Sequence, residues 1–298
     1  MKKELGKRIG KLYGARLKLF DRIGGIVMLA TTLERYLDNE IPKLPKEVRQ
    51  EMLKQIGNPD SYLRDELIYQ SFGKMIVSDQ LNSEEIQDLL EMLVQEDYLF
   101  FGIGDSGTNS VFTRSFSSLI IAAIIEYDIK KRIVNPDFIL YTANKVIRYM
   151  MEEKDSRGFI HGNGWAHAIA HGADALDALA KHPLLKKEDI SRILHAVQHS
   201  LFRQVDYLDE EEERLAIILA SLIKHQNAER VIRVWIEELA GMVETQMDEN
   251  NGSLDAYHVQ RTVKNFLKSV YVILSSKGIG KKVDSDVFEV LEKWMYLR

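Results

Sequence analysis

Between Phe159 and Ala180 the sequence reads FIHGNGWAHAIAHGADALDALA, without one Lys, Arg or Glu, in a chain that is 29% charged. A solvated helix face carries Lys and Glu, so a segment that lacks them is expected to be covered on both sides. The flanking sequence offers helices to do the covering. Pro42, Pro45, Pro59, Pro136 and Pro183 each stand beside a candidate helix start rather than inside a helix. Proline is tolerated in a first turn and not in an interior. No long alternating β-branched run competes with this reading.

Apolar periodicity predicts helices over 45–56, 58–77, 83–96, 110–127, 135–152, from Trp165 onward, and over 188–202, 210–223, 228–247, 254–275 and 284–296. Asn82 and Glu85 have the spacing of a capping box. Helices of similar length joined by short turns point to an all-α, right-handed α-α superhelix of helix pairs, a HEAT-like solenoid. Residues 1–45 read as an N-terminal helical segment with a break near Gly24-Gly25, and 46–298 as the superhelical domain, the two forming either separate units or one continuous domain. Gly102, Gly104 and Gly107 match G-x-G-x-x-G literally, but no strand precedes them. They read as an ordinary turn.

Composition narrows the function classes. A net charge of −5 gives no electrostatic support for binding nucleic acid. The absence of cysteine excludes disulfides and thiolate metal sites. The basic start of the chain is not followed by a signal-peptide core, and its longest apolar run, 24–30, falls far short of the ~20 residues of a membrane span. A soluble cytoplasmic protein without a transmembrane segment is expected, its basic amphipathic start being a solvated helix rather than a membrane contact.

If the helix begins at Trp165, then His167, His171 and Asp174 fall at i, i+4 and i+7, within about 60° of one another. Ala170, Ala175 and Ala178 lie on or beside that stripe and leave room for a ligand or a close-packed helix. Two imidazoles and a carboxylate suit a divalent metal, or an acid–base pair with an orienting group. They equally suit a hydrogen-bonded network inside a packed helix. The segment is not H-E-x-x-H, because Ala168 follows His167 and no built-in base is present. On the helix at 110–127, Phe112, Phe116, Leu119 and Ala123 form one stripe, with Arg114, Ser118 and Ile121 opposite. A buried Arg114 requires a carboxylate, for which Asp174 and Asp177 are the candidates, or else grips an anionic ligand with its planar fork. A second pair, His195 and His199, reads as exposed.

Four stretches, LRDELIY (63–69), VFTRSFSSL (111–119), EKDSRGFIHGNGWAHAIAHGADAL (153–176) and EEERLA (211–216), resemble in this order the bacterial family filed as domain of unknown function 2785. The resemblance covers about residues 50–225. It implies an α-helical, HEAT-like fold and brings no assigned reaction. Its recurrent positions fall on Arg64, Asp65, Arg114, Ser115, Asp155, Arg157, Gly158, Trp165, His167, His171, Asp174, Glu211 and Arg214.

The first reading is therefore a binding or interaction module. Its candidate ligand- or partner-contacting residues are Arg114, Ser118, Asp155, Arg157, Trp165, His167, His171 and Asp174, and its partner a protein, a peptide or a small molecule. No cofactor is expected, a divalent metal on His167, His171 and Asp174 being the lesser alternative. The rival reading is a hydrolase or lyase in which His167 or His171 acts as base, Asp174 orients it and Arg114 stabilises an anion. In a third reading the polar stripes only join neighbouring repeats.

Overall fold

A computed structural model describes residues 24–203, 205–250 and 252–295. Among the described residues the fold is all-α apart from one small hairpin. Residues 24–37 form α1, followed by α2 (Lys46–Lys54) and a π-helical stretch, Tyr62–Tyr69, which runs directly into α3 (Gln70–Val77). Then come α4 (Ser83–Leu93), α5 (Ser110–Lys131), α6 (Pro136–Glu152), β1 (Phe159–Ile160), β2 (Gly164–Trp165) and α7 (Ala168–Lys181). The remainder is α8 (Lys187–Leu201), α9 (Glu211–Gln226), α10 (Glu229–Glu249), α11 (Leu254–Lys277) and α12 (Lys281–Trp294).

The helix starts follow the capping chemistry. At α4 the Asn82 side chain accepts from the Glu85 amide at 2.9 Å, and Glu85 accepts from the Asn82 amide at 3.1 Å, completing the expected box. At α6 the Asn135 side chain accepts from the Asp137 amide at 2.8 Å, with Pro136 in the first turn.

From α5 onward the helices pack in two rows. One row runs α5, α7, α9, α11, each against the next, and the other runs α6, α8, α10, α12. Such alternation is what successive helix pairs produce when stacked. The right-handed superhelical sense goes beyond this packing and stays an expectation. One apolar cluster extends from Leu29, Leu33 and Tyr36 of α1 to Val287 and Leu291 of α12, so residues 24–37 share the core of the rest. The part of the N-terminal expectation that falls on residues 1–23 lies outside the described residues. α5 is long and apolar enough by composition to cross a membrane, yet what surrounds it is mostly protein.

α7 lies at the centre of the first row. Its Ala168, Ala170, Ala173, Ala175, Ala178 and Ala180 are all buried, and small side chains let α5 and α9 approach on two sides. The coverage expected for 159–180 thus holds for the helix but not for its lead-in, where Phe159 and Trp165 stand exposed. Gly172 marks the closest approach to α6: a Cβ there would lie 2.9 Å from Tyr149 Cε1 and closer still to Met150 Sδ. Both neighbours are fully buried and cannot move aside freely. Gly172→Ala is therefore expected to lower stability by about 1–3 kcal/mol, despite the ~1 kcal/mol that alanine gains in a helix. Urea unfolding of the two proteins would check it; a stabilised variant would show that α6 and α7 can part.

Candidate functional site

The site rests on a set of sealed charges. Arg114 and Glu153 are both wholly buried and meet as a fork, with Nε to Oε2 at 2.6 Å and Nη2 to Oε1 at 2.8 Å. Nη1 donates to the carbonyls of Phe101 and Gly102 and to Ser110 Oγ, and Nη2 also to the Asp105 carbonyl. Every N–H of the guanidinium is thereby used. This corrects the expected pairing, since neither Asp174 nor Asp177 is the partner. Nor does Arg114 have a donor left for a ligand.

Asp155 and Arg157 are likewise spent on one another. Arg157 Nη2 lies 2.6 Å from Asp155 Oδ2, Gly107 N donates to the same oxygen, and Arg157 Nη2 reaches the Thr108 carbonyl. Together these contacts fasten the glycine loop 102–109 to the segment after α6. Ser118 is buried and donates to the Ser115 carbonyl at 2.7 Å, within its own helix. Arg114, Ser118 and Asp155 are thus sealed away from any open ligand surface, whereas the Arg157 side chain is 33% exposed.

Arg64 locks the hairpin in place. Its guanidinium stacks on Phe112 at 4.1 Å and on Phe116 at 4.8 Å, pairs with Asp65 at 2.7 Å, and donates to the carbonyls of Asn58 and Asn163. Gly164 has a left-handed φ of +78°, and a Cβ on it would lie 2.6 Å from Ser61 Cβ, so glycine is required there on both counts. Asp209 accepts from the Phe159 amide at 2.9 Å and fills the space where Gly158 would carry a side chain. Phe159 and Trp165 face each other across the two strands, 53% and 43% exposed, with ring centroids 5.0 Å apart.

The histidines depart from the expected stripe. α7 begins at Ala168, so His167 is not helical; it takes left-handed angles, φ 48° and ψ 37°. Its carbonyl accepts from the His171 amide at 2.8 Å, and the two rings still lie nearly parallel, 5.7 Å apart. Trp165 adjoins His167 at 4.4 Å, Phe116 meets His171 edge-on at 5.3 Å, and Tyr69 meets Phe116 at 6.3 Å. A continuous row of rings therefore leads from the exposed hairpin to the interior.

Ser115 defines the state of His171. Its hydroxyl donates to the Ala166 carbonyl and lies 2.7 Å from His171 Nδ1. A hydroxyl has one hydrogen, so Nδ1–H must be the donor to Ser115, and the lone pair is left on Nε2. Burial drives the His171 imidazole down to about 3, helped by the positive charge of Arg214 and Arg64. It is a fixed neutral acceptor, too weakly basic to serve as a general base near neutrality. His167 is also lowered by burial. Its Nδ1 lies 3.8 Å from Oε1 of the buried Glu211, an oxygen with no hydrogen-bond partner among the described residues.

His171 looks into a cavity of about 420 Å³ between α5, α7 and α9. Leu119, Ala122 and Ala123 supply its apolar wall, Tyr69 one end, and Glu126, Asp174, Asp177 and Arg214 its charges. Asp174 accepts from Arg214 Nη1 at 2.8 Å, yet burial still raises its carboxyl above the ordinary range. Asp177 accepts from Ser221 at 2.5 Å and pairs with Lys181, which also reaches Glu126 at 2.7 Å. Asp174 therefore orients no histidine, and Arg114 faces no anion site, so the acid–base set expected from sequence is not assembled. Nor do His167, His171 and Asp174 converge as three ligands; among the described residues no group of three or more His, Asp or Glu side chains could hold a metal ion. Sequence reasoning missed Tyr69 and Glu126 as cavity residues and Glu153 as the partner of Arg114. Arg214 was marked by the family resemblance and as a helix-start charge, not as a cavity residue.

The model of the family described as "Protein of unknown function (DUF2785)" matches residues 99–272, more than half of the chain. The chain belongs to the DUF2785 family. No curated protein and no solved structure matches it. The DUF2785 match spans α5 to α11 and so contains the cavity helices and the hairpin, while Arg64 and Tyr69 lie before it.

Two outcomes follow from these burials. Glu153→Gln leaves the Arg114 charge buried without its counter-ion, and is expected to cost about 3–5 kcal/mol in urea unfolding; a cost near zero would mean that water reaches the pair. For His171, an unfolded imidazole titrates near 6.5 and the folded one near 3. The unfolded chain therefore takes up the proton first, and stability held above about pH 6.5 is lost as the pH falls toward 3. Between pH 7 and 4.5 that loss is about 2–3 kcal/mol. The buried carboxyls of Asp174 and Glu211, raised in the fold, contribute in the opposite direction over the same range. Comparison with His171→Phe isolates the imidazole: the variant should lose about 2–3 kcal/mol less, and equal slopes would contradict the assigned state.

Proposed function

We propose that this DUF2785 protein is a binding module whose ligand seat is the cavity between α5, α7 and α9. The observation that carries this reading is His171: its Nδ1 is tied to Ser115, its charge is suppressed by burial, and its Nε2 has no hydrogen-bond partner among the described residues. Such an arrangement holds an acceptor in one orientation at no ordering cost when a ligand arrives. The cavity volume lies in the range of small-molecule sites, and its lining is mostly polar, with Leu119, Ala122 and Ala123 as a minor apolar wall, which suits a polar or charged ligand. An enzymatic reading would have to rest on His167 and Glu211 instead, whose 3.8 Å separation is too long for a hydrogen bond. Binding is the better-supported reading.

The test is a thermal-shift screen of small amines, carboxylates and sugars against the wild type and His171→Phe, which keeps a ring against Phe116 but removes the acceptor. One chemical class should raise the wild-type melting temperature with concentration and leave the variant unmoved. Equal responses from both proteins would place binding elsewhere.

A further inference from the structure

We infer that the ligand of this cavity is an organic cation, an alkylammonium or alkylguanidinium group that takes the place of Arg214 on Asp174. The inference rests on the binding reading above and adds the class of ligand. Three carboxylates, Glu126, Asp174 and Asp177, face only two cations, Arg214 and Lys181. What the protein leaves unengaged is mostly acceptor: His171 Nε2 and the second oxygen of Asp174 have no hydrogen-bond partner among the described residues. Burial holds the Asp174 carboxyl above its usual range even with Arg214 alongside, which marks its positive compensation as incomplete. Tyr69, at the end of the cavity, offers a ring to a cation.

Arg214 itself shows how such a group would sit. Its side chain is 51% exposed and holds Asp174 through one nitrogen at 2.8 Å. Arg114, by contrast, is sealed and forked onto Glu153. A half-exposed, single-point pair is screened by solvent and readily exchanged. The intramolecular guanidinium therefore occupies a cation seat that a ligand can claim, and Leu119, Ala122 and Ala123 are placed to cover the ligand's methylene chain. The same chemistry is carried by a free amine and by a Lys or Arg side chain of a partner protein.

The experiment titrates n-butylammonium, n-butylguanidinium and butyrate, three probes sharing one alkyl chain, into the full chain. The His171 ring resonances are followed by NMR and affinity by calorimetry. Both cations should shift His171 and butyrate should not. Asp174→Asn should weaken cation binding at least fivefold, whereas Arg214→Gln, which removes the internal competitor, should tighten it severalfold. The opposite sign of the second variant keeps the test decisive if the first fails to fold. Butyrate binding that is abolished by Arg214→Gln would overturn the cation class while leaving the cavity as the ligand seat. No response of His171 to any of the three probes would overturn the cation class; the binding reading falls separately, if no class in the thermal-shift screen distinguishes the wild type from His171→Phe. Capped lysine (Nα-acetyl-lysine methylamide) separates the sources: tighter binding than butylammonium names a partner's side chain, and weaker binding names a free amine, the class standing in either case.

Discussion

An ion pair with no exposed surface stabilises a fold only when its geometry is complete, because removing two charges from water costs more than their attraction returns unless the remaining hydrogen bonds are also made. Arg114 and Glu153 meet that condition. The guanidinium donates to three backbone carbonyls of the 101–105 loop as well as to the carboxylate, and Glu153 also accepts the amides of Lys154 and Asp155 at 2.9 Å. The glycine loop that precedes α5, the start of α5 and the end of α6 are thereby fixed to one another. Ser115 is the next residue along α5, so its hydroxyl is placed between Ala166 and His171 by the same clamp. The protonation state of His171 is in this sense set by a salt bridge it never touches.

The charged residues near the hairpin divide into two kinds by burial. Arg64, Arg114 and Asp155 are inaccessible, and their bonds go to backbone carbonyls and amides and to the side chains of Asp65, Glu153 and Arg157. Their work is positional. Asp174 and Arg214 are partly open and hold each other by a single hydrogen bond, so solvent and ligands can compete for both. The recurrent positions of the family resemblance contain both kinds, which is why they cannot be read as one binding surface.

Much of the fold was legible because its signals are local. Apolar spacing marked α5, α6 and α8 to α12, the Asn82–Glu85 box marked the start of α4, and the missing Lys, Arg and Glu marked α7 as covered. The partners of buried charges were not legible. Glu153 lies 39 residues from Arg114, and Arg214 lies 40 residues from Asp174; nothing in spacing chooses among the acids that a tertiary fold could bring near. The hairpin was obscured for a different reason. Its strands are two residues each, too short for any period, although Gly162 and Gly164 around Asn163 carry the positive φ values of a turn.

The start of α7 shows what that omission concealed. On a helix begun at Trp165, the rings of Trp165 and His167 would point to different sides, and only His167 would share a face with His171. In the fold, the turn is made by His167 itself, a residue type for which left-handed angles are uncommon but accessible. Its amide is taken by the Arg157 carbonyl and its carbonyl by the His171 amide, so both neighbours hold the conformation. The chain thus passes from strand to helix across two residues, Ala166 and His167, and Trp165, His167 and His171 line up ring against ring. A contiguous path of π surface from the exposed hairpin to the cavity wall exists because this one backbone position is left-handed.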